Sequence, residues 1–107
     1  MMMTSDRINK LLEFLKSSPD DSFLNHALAL ELIKENKDDE AEKYFRNNLD
    51  RSPEYVATYY HLGKLLERSG RIEEAISTYE RGMAVARAAG DSHSYNELNG
   101  VYEDLIY

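Results

Sequence analysis

The chain is 107 residues long, 42% hydrophobic and 31% charged, and carries a formal net charge of −7 with no cysteine. That acidity excludes a nucleic-acid phosphate backbone as the expected partner, since such binding needs clustered Lys and Arg, and the absence of cysteine excludes disulfides and thiolate metal sites. No apolar run nears the roughly 20 residues of a membrane span, and the opening "MMMTSDR" shows no basic-then-apolar leader, so one soluble, cytoplasmic domain is expected.

Apolar spacing predicts six helices, near 5–17, 21–35, 39–51, 54–69, 72–88 and 93–106. The first carries Ile8, Leu11, Leu12 and Leu15 and stops at Pro19. In the second, Phe23, Leu24, Ala27, Leu28 and Leu32 form a stripe that ends at Asn36, a residue tolerant of the left-handed conformation that closes helices. The third holds Ala41, Tyr44, Phe45 and Leu49, with Asp39 and Glu42 spaced as a capping pair, and ends before Pro53. Each Pro is expected to end one helix and to sit in the first turn of the next. Tyr59, Leu62 and Leu66 mark the fourth helix, closed by Gly70; Ile72, Ala75, Ile76, Tyr79 and Met83 mark the fifth. After the break "AAGDSHS", the sixth carries Tyr95, Leu98, Tyr102 and Leu105, with Ser94 and Glu97 as a second capping pair. No segment alternates as a strand would.

The pattern repeats. Pro19 and Pro53 lie 34 residues apart, and the same offset pairs Leu28 with Leu62, Ala29 with Gly63, Leu32 with Leu66, Asn36 with Gly70, Ala41 with Ala75 and Phe45 with Tyr79. Internal periods of this length signal stacked helical units. Gly63 interrupts a good helix at a cost of about 1 kcal/mol against Ala, so a close helix contact must offset it, with Ala29 in the same role one repeat earlier. Ala75 is expected to nest in the space Gly63 leaves.

These residues resemble the tetratricopeptide repeat, in a small bacterial-type form. Tyr59, Leu62, Gly63, Leu66, Gly70, Ala75, Tyr79 and the small Gly82 match its pattern, with Arg87 in place of the closing Pro. The preceding unit supplies Leu28, Ala29, Leu32, Ala41, Phe45 and Pro53, but has Asn25 for the aromatic and Asn48 for a small residue. The resemblance implies an all-α solenoid of antiparallel helix pairs within a single domain: a half repeat at 5–19, repeats at 22–55 and 56–89, and a capping helix at 92–107.

The resemblance further implies that the first helix of each pair lines a concave groove that binds a peptide or helix of a partner protein. Here the groove residues would be Phe23, His26, Leu30 and Lys34, then Tyr60, Lys64, Glu67 and Arg68, then His93 and Asn96. Tyr60, beside a core Tyr59, is the first choice of anchor. Such cationic and aromatic side chains suit a segment with carboxylates and an apolar anchor. A family subtype that grips a terminal carboxylate uses Lys, Asn and Arg where this chain has His26, Leu30, His61, His93 and Glu97, which disfavours that specificity.

No catalytic or cofactor pattern stands out. His26, His61 and His93 lie far apart in sequence without local metal-ligand spacing, so scattered histidines outweigh a shared site. Asp38-Asp39 and Glu73-Glu74 sit at helix starts, where they complement the helix dipole. The expected function is a non-catalytic interaction module with a protein or peptide partner. The alternative is structural self-assembly, a homodimer through the terminal helices, to which Val101, Ile106 and Tyr107 would contribute.

Overall fold

The computed structural model describes residues 5–107 and contains, among them, six α-helices and no strand. They are α1 (Asp6–Ser17), α2 (Ser22–Lys34), α3 (Asp38–Arg51), α4 (Val56–Arg68), α5 (Ile72–Ala89) and α6 (Ser92–Ile106). The chain divides into two compact units, one ending at Ser52 and one running Pro53–Tyr107.

In the first unit, α2 takes α1 on one side and α3 on another. Ile8, Leu11 and Leu15 of α1, Leu28, Ala29 and Leu32 of α2, and Ala41, Phe45 and Leu49 of α3 are buried. Full burial of each larger apolar side chain contributes about 1.5–3 kcal/mol. Ser5 caps α1 by accepting from the Ile8 amide, and Asp21 caps α2 by accepting from Leu24. Arg7 Nε on Glu31 Oε2 at 2.9 Å ties α1 to α2. The Ser22 and Ser52 hydroxyls, 2.6 Å apart, tie the start of α2 to the end of α3.

In the second unit, α5 packs on both α4 and α6, and those two also meet. Two glycines make this possible. A Cβ on Gly63 would lie 2.1 Å from Tyr79 Cε1, inside the ring's own volume. The phenol of Tyr79 therefore fills the space beside Gly63, and not Ala75 as expected from the sequence, because the larger ring one turn further along α5 reaches it. A Cβ on Gly82 would lie 2.6 Å from Tyr59 Cβ and 3.0 Å from Leu98 Cδ1, so this glycine lets α5 approach α4 and α6 together.

Three of the five interhelical turns, α2–α3, α4–α5 and α5–α6, close in the same way. The amides of Lys37, Arg71 and Asp91 donate to the carbonyls of Leu32, Leu66 and Ala86, and those of Asn36, Gly70 and Gly90 to Ile33, Glu67 and Arg87. These paired bonds satisfy the orphan carbonyls of a helix end and place the residue between them in the left-handed region. Asn36 (φ 61°), Gly70 (φ 80°) and Gly90 (φ 71°) hold that position.

Three local expectations are corrected. Asp39 and Glu42 do not cap α3: its cap is Lys37, without a side-chain bond, because the preceding turn hands the chain directly into the helix. At α6 the cap is Asp91, which accepts from the Ser94 amide, rather than Ser94 itself. Pro19 and Pro53 lie in the turns before α2 and α4, ahead of the first helical residues Ser22 and Val56.

Candidate functional site

The face of α2 directed away from its partners carries Phe23, Leu30 and Lys34, at i, i+7 and i+11 on one helical stripe. Phe23 is 62% exposed, Leu30 is half-buried and Lys34 is exposed, its ammonium 3.2 Å from Glu31. His26 does not belong with them. It is only 7% exposed, with its ring 5.7 Å from that of Phe45. The cause is the width of the buried arc: α2 is covered from two sides, so that Asn25 to Ala29 are all buried in succession.

In the second unit, α4 presents Tyr60, Lys64 and Arg68, at i, i+4 and i+8. Tyr60 is half-buried, with its ring edge-on to His61 at 5.3 Å between centroids. Lys64 Nζ lies 3.8 Å from Glu67 Oε2, and that same carboxylate oxygen accepts a hydrogen bond from the Tyr79 hydroxyl. Burial, followed by the hydrogen bond to Glu67, raises the Tyr79 phenol above its ordinary pKa, so it stays a neutral donor. A core tyrosine thus anchors a carboxylate beside the Tyr60–Lys64 face.

The half-buried His61 titrates below its ordinary value. Burial disfavours the imidazolium and Arg68 acts in the same sense, while Glu97 on α6 opposes them. On α6, His93 and Asn96 are exposed, and His93 Nε2 lies 3.7 Å from Glu97 Oε2. Asn96 also borders an open notch of about 350 Å³ at the α5–α6 corner, where Arg87 donates to the Tyr95 hydroxyl at 2.7 Å.

His26 lies against the Phe45 ring, whereas Glu97 acts on both His61, which sits beside Tyr60, and His93. Among the described residues, no group of three or more His, Asp or Glu is placed to hold a metal ion. No helix among them is long and apolar enough to cross a membrane.

Residues 32–93 match the family model of the tetratricopeptide repeat. The chain belongs to the tetratricopeptide repeat (TPR) family. It is similar to a TPR domain protein of Salinibacter ruber: the solution structure is 40% identical, covers 82% of this chain and 89% of that one, and superposes with a TM-score of 0.79. The crystal structure of the TPR domain protein from that organism gives 40% identity, 79% and 94% coverage and a TM-score of 0.77. A protein of Bordetella parapertussis is 27% identical over 96% of this chain and 89% of its own, with a TM-score of 0.81. The fold is therefore an all-α TPR solenoid, and the family is in general a scaffold for protein–protein interaction rather than a catalyst.

Within the TPR frame, Asn25 replaces an aromatic without loss of its bond. Its amide donates to the Pro19 carbonyl at 3.0 Å, and one repeat later the Tyr59 hydroxyl donates to the Pro53 carbonyl at 2.6 Å. In the sequence Asn25 reads only as a departure from the pattern, and no motif marks the Tyr79–Glu67 bond. The 34-residue offset between the two prolines was the available signal for the first. For the second, the cue was a Tyr–Glu pair where the first repeat has Phe45 and Ile33.

Proposed function

We propose that this chain is a non-catalytic interaction module that takes a peptide or helical segment of a partner protein. In the first unit the segment would lie on the face of α2, and in the second on the faces of α4 and α6. One observation supports this most directly. The surfaces of α2 and α4 turned away from α3 and α5 carry aromatic and cationic side chains with accessible area, Phe23 and Lys34 on one and Tyr60, Lys64 and Arg68 on the other. Rings offer large contact area at low entropic cost and cations set the register of a partner, the usual division between anchor and rim. A cysteine-free chain fits work in the reducing cytoplasm.

The test is site-specific photo-crosslinking in the native cell. A photoreactive amino acid at Phe23, Lys64 or Asn96 should form adducts with a partner, and the same probe at Lys43 of α3 or Glu80 of α5 should not. Adducts confined to the α3 and α5 positions would reject the assignment.

Self-assembly through the terminal helices is the second reading. It draws on Ile106, which is exposed, and Tyr107, 94% exposed at the end of α6. Sedimentation across a hundredfold concentration range separates the two, since a monomer throughout rules out obligatory assembly.

A further inference from the structure

We infer that α6 takes a basic stretch of the partner segment, with a Lys or Arg of that stretch meeting Glu97 and its main chain crossing the helix at Gly100. The inference rests on the proposal that partner segments dock on these helix faces. It adds a chemistry opposite to that of the carboxylate-bearing segment expected for the cationic side chains of α2 and α4.

The sign of the face reverses within the second unit. An offset of 36 residues carries Tyr59, Leu62 and Leu66 of α4 onto Tyr95, Leu98 and Tyr102 of α6. The same offset carries Tyr60, Lys64 and Arg68 onto Asn96, Gly100 and Asp104. Two cations thus give way to a bare backbone and an acid. The helix Ser92–Ile106 holds neither Lys nor Arg, whereas its acids Glu97, Glu103 and Asp104 are all exposed. Leu98 is its buried residue, and Glu97, Gly100, Glu103 and Asp104 lie on the side turned from it.

Glu97 is a carboxylate that the fold leaves without a cation. Its counterparts are matched: Glu31 of α2 lies 2.9 Å from Arg7 and 3.2 Å from Lys34, and Glu67 of α4 faces Lys64 at 3.8 Å and accepts from Tyr79. Glu97 instead has two imidazoles for neighbours. It acts on His61 of α4 and lies 3.7 Å from His93, too far for a hydrogen bond. Among the described residues neither Lys nor Arg pairs with it, and 56% of its side chain is exposed. Arg68, the last cation on α4, also acts on His61, so the charge changes sign between these two helices.

Gly100 is an independent observation on the same face. A glycine inside a helix is less stable there than alanine. At Gly63 and Gly82 close packing explains the residue, since an added Cβ would collide with Tyr79 or with Tyr59. At Gly100 an added Cβ would meet nothing within 4 Å, so no contact within the chain calls for a glycine. The gap lies one turn from Glu97 and one turn from Asp104. A helix surface bare of a side chain lets a second main chain approach closely. The acids before and after the gap then complement positive side chains on that second chain.

A Lys-rich fifteen-residue peptide, and its counterpart with every Lys replaced by Glu, provide the test. At physiological salt the Lys peptide should bind at least tenfold tighter, by fluorescence anisotropy, and should shift amide resonances within residues 93–104. Glu97→Gln with Asp104→Asn should lower its affinity at least tenfold. Asp39→Asn with Glu73→Gln, the same loss of charge on α3 and α5, should leave it within twofold. Gly100→Gln should raise the Tm yet lower the affinity at least fivefold. Equal losses in the two charge variants would assign the binding to net charge and overturn the inference. Full affinity in Gly100→Gln, or no preference for the Lys peptide, would overturn it as well. Shifts confined to α2 and α4 would overturn it while leaving the proposed function standing, and shifts confined to α3 and α5 would count against both. A concentration-dependent dimer abolished by Glu97→Gln would assign the face to a second copy of the chain, which also overturns it.

Discussion

Asn25 and Tyr59, 34 positions apart, each donate a hydrogen bond to the carbonyl of the proline six residues earlier. An amide and a phenol thus do the same work, each tying the first helix of a repeat to the turn that precedes it. Asn25 adds a second bond, to the Asp21 carbonyl at 2.8 Å. Tyr59→Phe should lower unfolding free energy by about 1 kcal/mol and Asn25→Ala by about 2 kcal/mol, since a net hydrogen bond contributes about 1 kcal/mol. Urea titration with unchanged m values is the measurement.

Gly63→Ala offers a prediction whose sign decides. Helix propensity alone would make alanine better by about 1 kcal/mol. The added methyl instead meets the Tyr79 ring, with Cε1 at 2.1 Å, and overpacking of this kind costs about 1–3 kcal/mol. A net loss of stability is expected in the parent chain, and a gain in a Tyr79→Ala background where the ring is gone. Calorimetry of both pairs reads the reversal.

The Tyr79–Glu67 bond can be exchanged for the apolar solution of the first repeat, which has Phe45 and Ile33 at the matching positions. Tyr79→Phe alone leaves a half-buried carboxylate without its donor and should cost about 1.5–3 kcal/mol. Tyr79→Phe with Glu67→Ile should recover most of that loss. A coupling near zero in the double-mutant cycle would deny that the two residues act as a pair.

The depressed pKa of His61 makes stability depend on pH. Below its ordinary value of about 6.5 the unfolded chain takes up the proton while the folded chain resists it. Stability is therefore full above that pH and falls as pH drops through it toward the folded value. His61→Gln should flatten this part of the profile between about pH 7.5 and 5 relative to the parent, with Glu97→Gln steepening it because the opposing carboxylate is lost. Identical profiles for parent and His61→Gln would remove the imidazole as the cause.

Asn36 sits at φ 61° where the other two hairpins have glycine. A side chain in the left-handed region costs about 1 kcal/mol, less for Asn than for most residues. Asn36→Gly should therefore raise the melting temperature by a few degrees and Asn36→Ala lower it, as thermal unfolding followed by circular dichroism would show.

Much of this architecture was legible before any coordinates. Helix positions followed from apolar spacing, and the turn residues Asn36 and Gly70 from their tolerance of positive φ. The close contact at Gly63 followed from the cost of a glycine inside a helix. What periodicity leaves open is the width of a buried arc. His26 aligns with Tyr60 at the 34-residue offset and so shares the pattern of the accessible face, yet α2 is covered by two neighbours and buries five residues in succession. Partnered side chains such as Glu67 and Tyr79 are twelve residues apart, beyond the reach of any local pattern.

The turns between α2 and α3, α4 and α5, and α5 and α6 are each fastened by main-chain bonds spanning five residues or fewer. Each joint is complete as soon as its own short stretch of polypeptide exists, with nothing awaited from elsewhere in the molecule. During translation, each of these three joints can fasten shortly after leaving the ribosome. Nascent chains of this protein therefore gain order stepwise from the amino end, a mode of growth that keeps greasy surface from lingering among crowded neighbours.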